Sequence, residues 1–263
     1  MPAKPWRLSE VTLKEVREAG YQAAVLPFGA TEPHNLHLPY ATDNIQVAEI
    51  CDRACAWAWE KGARVALLPH IPFGAEQSLQ QFPLAINVDQ EILNAIVESV
   101  AKSLERHGVM KLAIVNGHGG NDFKAGLRTL YGRSAVFCCL INWYQMLADR
   151  RASVFECPGE HADEMETSLV QAITPDLVHM EWADDGGTFP SRFEAVRRGW
   201  AWHPRAWERV TKNSGHGDPR RASAEKGKRY LKLAEERLGE FLLELARGKM
   251  DKDFPFEKGA GKT

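Results

Sequence analysis

The sequence predicts an α/β fold in which a mainly parallel sheet lies between layers of helices. Short, continuously apolar runs alternate with longer segments of helical periodicity. Strands that are covered on both faces have such apolar runs, and strand–helix alternation builds βαβ units. Polar clusters follow several of the runs. Because ligands in such folds bind beyond the carboxyl ends of the strands, these clusters mark the edge where a site is expected.

Four apolar runs are the candidate strands, and they cover residues 23–26, 65–68, 112–115 and 135–141. The first ends in Pro-Phe-Gly, the second in Pro-His-Ile-Pro-Phe-Gly and the third in Asn-Gly-His-Gly-Gly. Turn residues of these types end a strand because they favour backbone conformations outside the sheet. We therefore expect four short buried strands.

Helical spacing of apolar residues predicts four helices, at residues 43–61, 92–104, 163–173 and 222–246. The apolar stripe of the second helix contains Ile92, Leu93, Ile96, Val97, Val100 and Leu104. Asp89 is expected to cap that helix and Gly108 to end it.

Two other segments lack clear periodicity. Residues 175–220 are rich in Trp, Gly, Pro and Arg, and we interpret them as a long insertion near the site. Residues 250–263 are expected to form a C-terminal arm. The chain is therefore predicted to be a single domain over residues 1–263, a length that suits one large α/β domain.

Composition limits the class of partner. The net charge of −2 argues against a nucleic-acid or anionic-membrane partner, which would require a basic face. No apolar run approaches the roughly 18 residues that a membrane span needs, and the N-terminal segment lacks an apolar signal region. Five cysteines match no zinc or disulfide framework, and Cys51 and Cys55, which lie four apart on a predicted helix, are expected in the core. We expect a cytoplasmic protein.

The densest polar cluster directly follows the first strand and contains Glu32, His34 and His37, with Asp43 at the start of the next helix. Carboxylates and imidazoles are typical ligands of divalent metal ions. In an extended segment, Glu32 and His34 point to the same side because side chains alternate. The cluster therefore predicts a metal site.

Two further polar segments are expected at the same edge of the sheet. His118 follows the third strand in a glycine-rich turn, and His161 and Glu166 belong to a segment with five ionisable residues in seven. Burying so many charges is costly without metal or proton chemistry. Each segment alone could instead be an ordinary hydrogen-bonded loop or a solvated helix start.

Together these segments resemble the motifs of the creatininase (creatinine amidohydrolase) family, in the same order. Residues 29–43 contain G-A-T-E-P-H-N-L-H-L-P and T-D, where the family has G-S-T-E-Q-H-G-x-H-L-P and T-D. Residues 116–121 match N-G-H-G-G-N, residues 161–168 resemble H-A-G-E-x-E-T-S, and residues 217–227 resemble G-D-P with A-E-K-G. The resemblance implies a three-layer α/β/α fold and a homo-oligomer, often a hexamer.

The resemblance also implies two divalent ions, with zinc expected and manganese or iron as alternatives. Glu32 and His118 would hold one ion and His34 the other, with Asp43 bridging both. Creatininase itself has Tyr-Glu after the histidine of the turn, and that Glu ligates the second ion. Gly119 and Gly120 stand there in this sequence, so a member other than creatininase is indicated.

Glu166 is the candidate for the missing ligand, or for a proton shuttle. His161 would donate to the developing oxyanion or protonate the leaving group. His37 would hold the ligand loop from outside. Further candidates for substrate contact are the tryptophans and arginines of and near the insertion. They are Trp143, Trp182, Trp202 and Arg192, and also Trp200, Trp207 and Arg197.

The predicted function is hydrolysis of a small cyclic amide or related cyclic carbonyl compound by a metal-activated water. One alternative is C–C cleavage of a cyclic diketone such as a keto-inositol of the 3-dehydro-scyllo-inosose type. Two alternatives belong to other classes. One is a non-catalytic ligand-binding protein on the same fold, and the other is a nucleotide-binding protein that uses the glycine-rich turn.

Overall fold

A parallel sheet of four strands forms the centre of the molecule, which is a computed structural model that describes residues 4–257. The strands are β1 (Ala23–Phe28), β2 (Val65–Leu67), β3 (Lys111–Asn116) and β4 (Phe137–Asn142). Their order across the sheet is β2-β1-β3-β4, and every neighbouring pair is parallel. All four predicted strands are confirmed, with small shifts of their ends.

Helices cover both faces of this sheet. They are α1 (Leu13–Ala19), α2 (Thr42–Glu60), α3 (Gln90–Arg106), α4 (Lys124–Leu130), α5 (Trp143–Met146), α6 (Ala148–Arg151), α7 (Glu164–Ile173), α8 (Glu194–Arg197), α9 (Trp207–Val210) and α10 (Ala224–Arg247). Two 3₁₀ turns, Pro175–Leu177 and Met180–Trp182, follow α7. The four predicted helices correspond to α2, α3, α7 and α10.

Successive side chains of β1 point to opposite faces of the sheet, and each face has its own hydrophobic core. Ala23 and Val25 point into a core shared with α2, α7 and α10, which also contains Cys51 and Cys55. Leu26 and its neighbours at alternate positions point into a second core shared with α3. Since successive side chains of a strand point to opposite faces, one buried strand serves both cores. The fold is the predicted three-layer α/β/α arrangement.

The end of α3 agrees with the prediction, whereas the predicted cap at Asp89 and the burial of Ile92 do not. Gly108, with φ of 75°, follows its end and adopts the left-handed conformation that favours glycine. Asp89 precedes the helix without capping it, because its carboxylate accepts a hydrogen bond from Asn87 at 3.0 Å. Ile92 is exposed, since it is rotated by about 100° from the buried line that starts at Leu93.

The C-terminal helix is fastened to the sheet at its end. Lys111 Nζ, at the start of β3, donates to the carbonyls of Leu245, Ala246 and Gly248. These are carbonyls of the last helical turn and just beyond, which have no partner within the helix. Beyond it, Phe254 packs edge-on against Phe137 with ring centroids 4.9 Å apart. The rest of the predicted arm, residues 258–263, lies outside the described residues.

The segment predicted as an insertion, residues 175–220, contains only 3₁₀ turns and the short helices α8 and α9. It returns to the core through a bridge between His161 and His216, beside the start of α7. None of the described helices is long and apolar enough to cross a membrane.

Candidate metal centre

The loop after β1 carries the first two site residues to the edge of the sheet. Glu32 and His34 are buried there, and Asp43 is buried in the first turn of α2. Asn35 has φ of 54°, which lets the chain reverse so that His34 pairs with Leu38. The loop therefore brings residues 32–34 back against the helix that carries Asp43.

The carboxylate of Asp43 lies between two histidines. Its Oδ1 is 3.2 Å from Nε2 of His34, and its Oδ2 is 3.1 Å from Nδ1 of His118. His118 is held in the turn after β3 because the Asn116 side chain bonds both its backbone N–H and its carbonyl. One carboxylate thus faces two imidazoles from opposite oxygens, as a bridging ligand does.

Other carboxylates complete donor groups around these histidines. Glu32 Oε1 lies 3.0 Å from Nδ1 of His118, and Glu166 Oε2 lies 3.7 Å from Nε2 of His34. Three groups have donor atoms within 4.8 Å of one another, namely Glu32–His34–His161, Glu32–Glu76–His118 and His34–Asp43–Glu166. The structure therefore brings all five predicted ligands together.

Several donor atoms of this cluster lack a hydrogen-bond partner within the described chain. They are Oε2 of Glu32, Nε2 of His34 and both carboxylate oxygens of Glu76. Buried polar atoms without a partner are costly, and buried carboxylates in excess over cations are more so. Divalent cations would satisfy these atoms with the ligand types they prefer. The donor set thus fits a metal centre.

The pKa values of the buried groups are those of a cluster with excess negative charge. Burial raises the pKa of Glu32 well above its usual range, and the nearby carboxylates of Glu76 and Asp43 raise it further. Burial likewise raises the pKa of Glu166 to about 7, with Asp43 adding to the effect. Burial alone would lower the pKa of His34, but Asp43 and Glu166 raise it to about 10. The buried carboxylates therefore attract cations to the cluster.

The start of α7 positions Glu166 and His161. Asp163 caps the helix by accepting from the backbone N–H of Glu166 at 3.1 Å, and the Ala162 N–H donates to Glu166 Oε2 at 2.6 Å. Asp163 also forms an ion pair with Arg151. Of the five ionisable residues predicted here, Asp163 therefore supports the helix while Glu166 faces the cluster.

His161 is neutral in this environment. Burial lowers its pKa well below the usual range, and the charge of His34 lowers it further. Nε2 of His161 lies 2.8 Å from the carbonyl of Pro33, which can only accept, so that nitrogen carries the proton. Nδ1, 3.8 Å from Glu32 Oε1, therefore presents a lone pair to the cluster.

His37 lies one step outside the donor groups. Its Nε2 is 2.9 Å from Oγ1 of Thr167, so it links the loop after β1 to the residue that follows Glu166. Burial lowers the pKa of His37 to about 4, which keeps it neutral. This position suits the predicted supporting role.

Most of the predicted substrate residues lie elsewhere. Trp143, the first residue of α5, is buried in the core with α2, α7 and α10. Trp182 and Trp202 are exposed on the insertion, and Trp182 stacks on His179 instead. Arg192 is exposed beside the short helix α8, and within the described chain no contact joins its side chain to the cluster. These expectations therefore find no support in the single chain.

One of the predicted tryptophans reaches the site, and one residue of the site was not predicted. Trp207 is buried with its ring centroid 5.1 Å from that of His161, and the guanidinium carbon of Arg205 lies over the Trp207 ring, 4.9 Å from its centroid. Glu76 lies in the loop after β2, with Oε1 2.8 Å from Nε2 of His118. Its position after a strand was the signal that could have identified it, since β2 ends at the same edge as β1 and β3.

Known proteins with sequences similar to this chain are hydrolases. A family model described as creatininase, creatinine amidohydrolase, matches residues 9–242. The mycofactocin precursor peptide peptidase of Mycobacterium tuberculosis (strain CDC 1551 / Oshkosh) is 28% identical over 79% of each chain. The 3-dehydro-scyllo-inosose hydrolase of Thermotoga maritima is 27% identical over 66% of this chain and 58% of that protein.

A solved structure extends the similarity to the fold. A candidate creatinine amidohydrolase from Bacteroides fragilis NCTC 9343 superposes with a TM-score of 0.89 and is 37% identical. The alignment covers 96% of this chain and 100% of that chain.

Proposed function

The chain belongs to the creatininase family and is a hydrolase, and from this premise we propose that it binds two divalent ions and hydrolyses a small cyclic amide or related cyclic carbonyl compound. The observation that carries the proposal is Asp43, whose two oxygens face two different histidines across a buried cluster of carboxylates. We propose zinc as the native ion, with manganese or iron as alternatives.

The proposed ligands divide into two sets. Glu32 and His118 hold one ion, His34 and Glu166 hold the other, and Asp43 bridges them. Glu166 is supported as the ligand that replaces the acid absent at Gly120, because its donor atom lies within 4.8 Å of those of His34 and Asp43. Divalent ions supply a Lewis acid and a water of lowered pKa when bound.

His161 moves the proton in the proposed reaction. Its Nδ1 carries a lone pair toward the cluster while the Pro33 carbonyl fixes its Nε2–H, so Nδ1 accepts a proton from the attacking water. The imidazolium then returns this proton to the leaving group, which is the predicted acid role. The Trp207 ring excludes water from one side of His161 and limits the size of the substrate.

A hydrolase of a cyclic diketone is the second candidate, and the Thermotoga maritima relative favours it. The same lone pair and donor sets serve a C–C cleavage, since both reactions begin with attack of water on a carbonyl. A screen of cyclic amides, lactones and cyclic diketones separates the two. Turnover of diketones alone would reject the amide proposal.

We also propose a homo-oligomer. Support comes from large aromatic residues exposed on residues 175–220, which are Trp182, Phe189, Phe193, Trp200 and Trp202. Exposed apolar patches often mark protein interfaces. Sedimentation of the purified chain at a monomer mass would contradict this proposal.

Metal analysis of two variants tests the centre. Asp43→Ala removes the proposed bridge and should lose both ions, whereas His34→Ala should keep the ion held by Glu32 and His118. Metal content after dialysis, measured by inductively coupled plasma mass spectrometry, reports both results. Retention of one ion in Asp43→Ala would refute bridging, and a wild-type chain without ions would refute the proposed centre.

A further inference from the structure

Glu76 has no role in the ligand sets above, although it is buried in the same cluster. Its side chain is 1% exposed, and Oε1 lies 2.8 Å from Nε2 of His118. Neither of its oxygens makes a hydrogen bond with another part of the described chain. A buried carboxylate in this position needs a proton donor or a cation.

The loop that carries Glu76 is fixed on both sides. The backbone N–H of Glu76 donates to the Asn87 side chain at 2.8 Å, and the N–H of Ala75 donates to Asn121 Oδ1 at 2.9 Å. Asn121 belongs to the same turn as His118. The carboxylate is thus held at a set distance from the imidazole rather than reaching it from a flexible loop.

The two nitrogens of His118 face different partners. Nδ1 faces Glu32 and Asp43 at 3.0 and 3.1 Å, whereas Nε2 is hydrogen-bonded to the Ala75 carbonyl at 3.3 Å and lies 2.8 Å from Oε1 of Glu76. A ring nitrogen that binds a metal ion must be bare, so the proton of a neutral imidazole lies on the other nitrogen. If Nδ1 is the ligand, Nε2 carries the proton, which the Ala75 carbonyl accepts and beside which the Glu76 carboxylate lies.

Gly120 gives independent evidence that the Nε2 side of the ring is closely packed. A Cβ built at Gly120 would lie 2.2 Å from Nε2 of His118 and 2.3 Å from the carbonyl of Ala75. The absence of a side chain at Gly120 therefore leaves space for the edge of the His118 ring to contact the backbone at Ala75 and Glu76. The imidazole has a single place to lie, with Glu76 next to its Nε2.

We propose that Glu76 is a positioning residue whose carboxylate, beside the Ala75 carbonyl, stabilises the Nε2 proton of His118 and so keeps Nδ1 bare and directed at the ion shared with Glu32. This inference rests on the proposed function, because it presupposes the metal centre. Carboxylate partners of metal-binding histidines fix the tautomer and raise the basicity of the ligand, and their loss typically costs 10–100-fold in metal affinity.

Zinc affinity of the full chain tests the proposal, with Glu76→Ala and Glu76→Gln as variants. Competition with a chelating dye should give a Kd about 10–100-fold weaker for Glu76→Ala. Glu76→Gln keeps an acceptor oxygen at nearly the same place and should lose less. Both variants should still bind two ions at saturation, because Glu76 is not a ligand. Asp52→Asn, which alters a buried acid outside the cluster, should bind zinc like the wild type.

Imidazole ¹⁵N–¹H NMR of the zinc-loaded protein supplies a second readout. The wild type should show a downfield, slowly exchanging Nε2–H signal that is absent in His118→Asn, and this signal should move upfield in Glu76→Ala. Should Glu76→Ala fail to fold, the nearly isosteric Glu76→Gln carries the test.

Three results would overturn the inference in distinguishable ways. Wild-type zinc affinity in both Glu76 variants would leave the metal centre intact and reject the positioning role. Saturation of Glu76→Gln at one ion would make Glu76 a direct ligand. Absence of zinc binding by the wild type would reject the proposed function, and this inference with it.

Discussion

Replacing Gly120 by Ala tests how closely the metal centre is packed against the turn after β3. The new Cβ would lie 2.2 Å from Nε2 of His118 and 2.3 Å from the Ala75 carbonyl, whereas ordinary contacts begin at 3.4 Å. Relief therefore requires movements of about 1 Å in the ring, the backbone or both. Metal–ligand distances tolerate only about ±0.2 Å.

Gly120→Ala should consequently weaken metal binding and destabilise the fold. Overpacking of this kind costs typically ~1–3 kcal/mol, which for a chain of this size lowers Tm by roughly 2–10 °C. The displaced His118 should weaken zinc binding by at least about tenfold, as loss of an outer partner does. Dye competition and calorimetry measure the two effects separately, the second on metal-free protein.

The neighbouring glycine supplies the matched control. A Cβ at Gly119 would meet no atom within 4 Å, so Gly119→Ala should keep both the zinc affinity and the Tm of the wild type. Equal behaviour of the two alanine variants would refute the packing argument, since it would mean that the ring has room to move.

Three further predictions concern stability. Burial alone would raise the pKa of Asp52, but hydrogen bonds from Arg7 and its neighbours lower it to about 2, so the ionised form contributes ~1–2 kcal/mol after solvent screening. This contribution is present above about pH 4 and is lost as the pH falls toward 2, and urea unfolding should show a flatter acid limb in Asp52→Asn than in the wild type. Gly227→Ala would place a Cβ 1.9 Å from the Ser168 carbonyl, where α10 crosses α7, and should lower the free energy of unfolding by at least ~1–3 kcal/mol, so wild-type unfolding would contradict the packing. Chelation by EDTA should lower Tm reversibly, because each ion present at 100 times its Kd stabilises the folded state by about 2.7 kcal/mol. A Tm that changes neither with EDTA nor with added zinc would contradict a metal centre in the folded state.

Periodicity predicted the sheet well because its strands are buried on both faces. The run that became β1 is apolar at every position, and its alternate side chains fill two cores. Residue type was a less reliable guide to which side chains cap the helices. Asp89 stands at the right place for a cap, yet Asn87 bonds its carboxylate, and a sequence pattern does not indicate such competition.

Site residues that follow strands in dense polar motifs came together in the structure, whereas isolated residues could not be ranked by sequence. Glu76 stands alone in a loop without periodicity, and only the sheet order brings it to His118. Among the tryptophans of the insertion, Trp207 is buried beside His161 and Trp202 is exposed. Both residues are tryptophans in the same irregular segment, so their different burial follows only from the path of the chain.

The spread of the proposed ligands along the chain affects when the protein can acquire its ions during synthesis. Glu32, His34 and Asp43 leave the ribosome early, but a donor group around His118 is complete only when the turn after β3 has emerged, and the His34–Asp43–Glu166 group only after the start of α7. An unfinished polypeptide thus offers no full binding site for the second ion. If the proposed ions bind, metallation follows translation of most of the chain, and the ions would stabilise a finished fold rather than nucleate an early one.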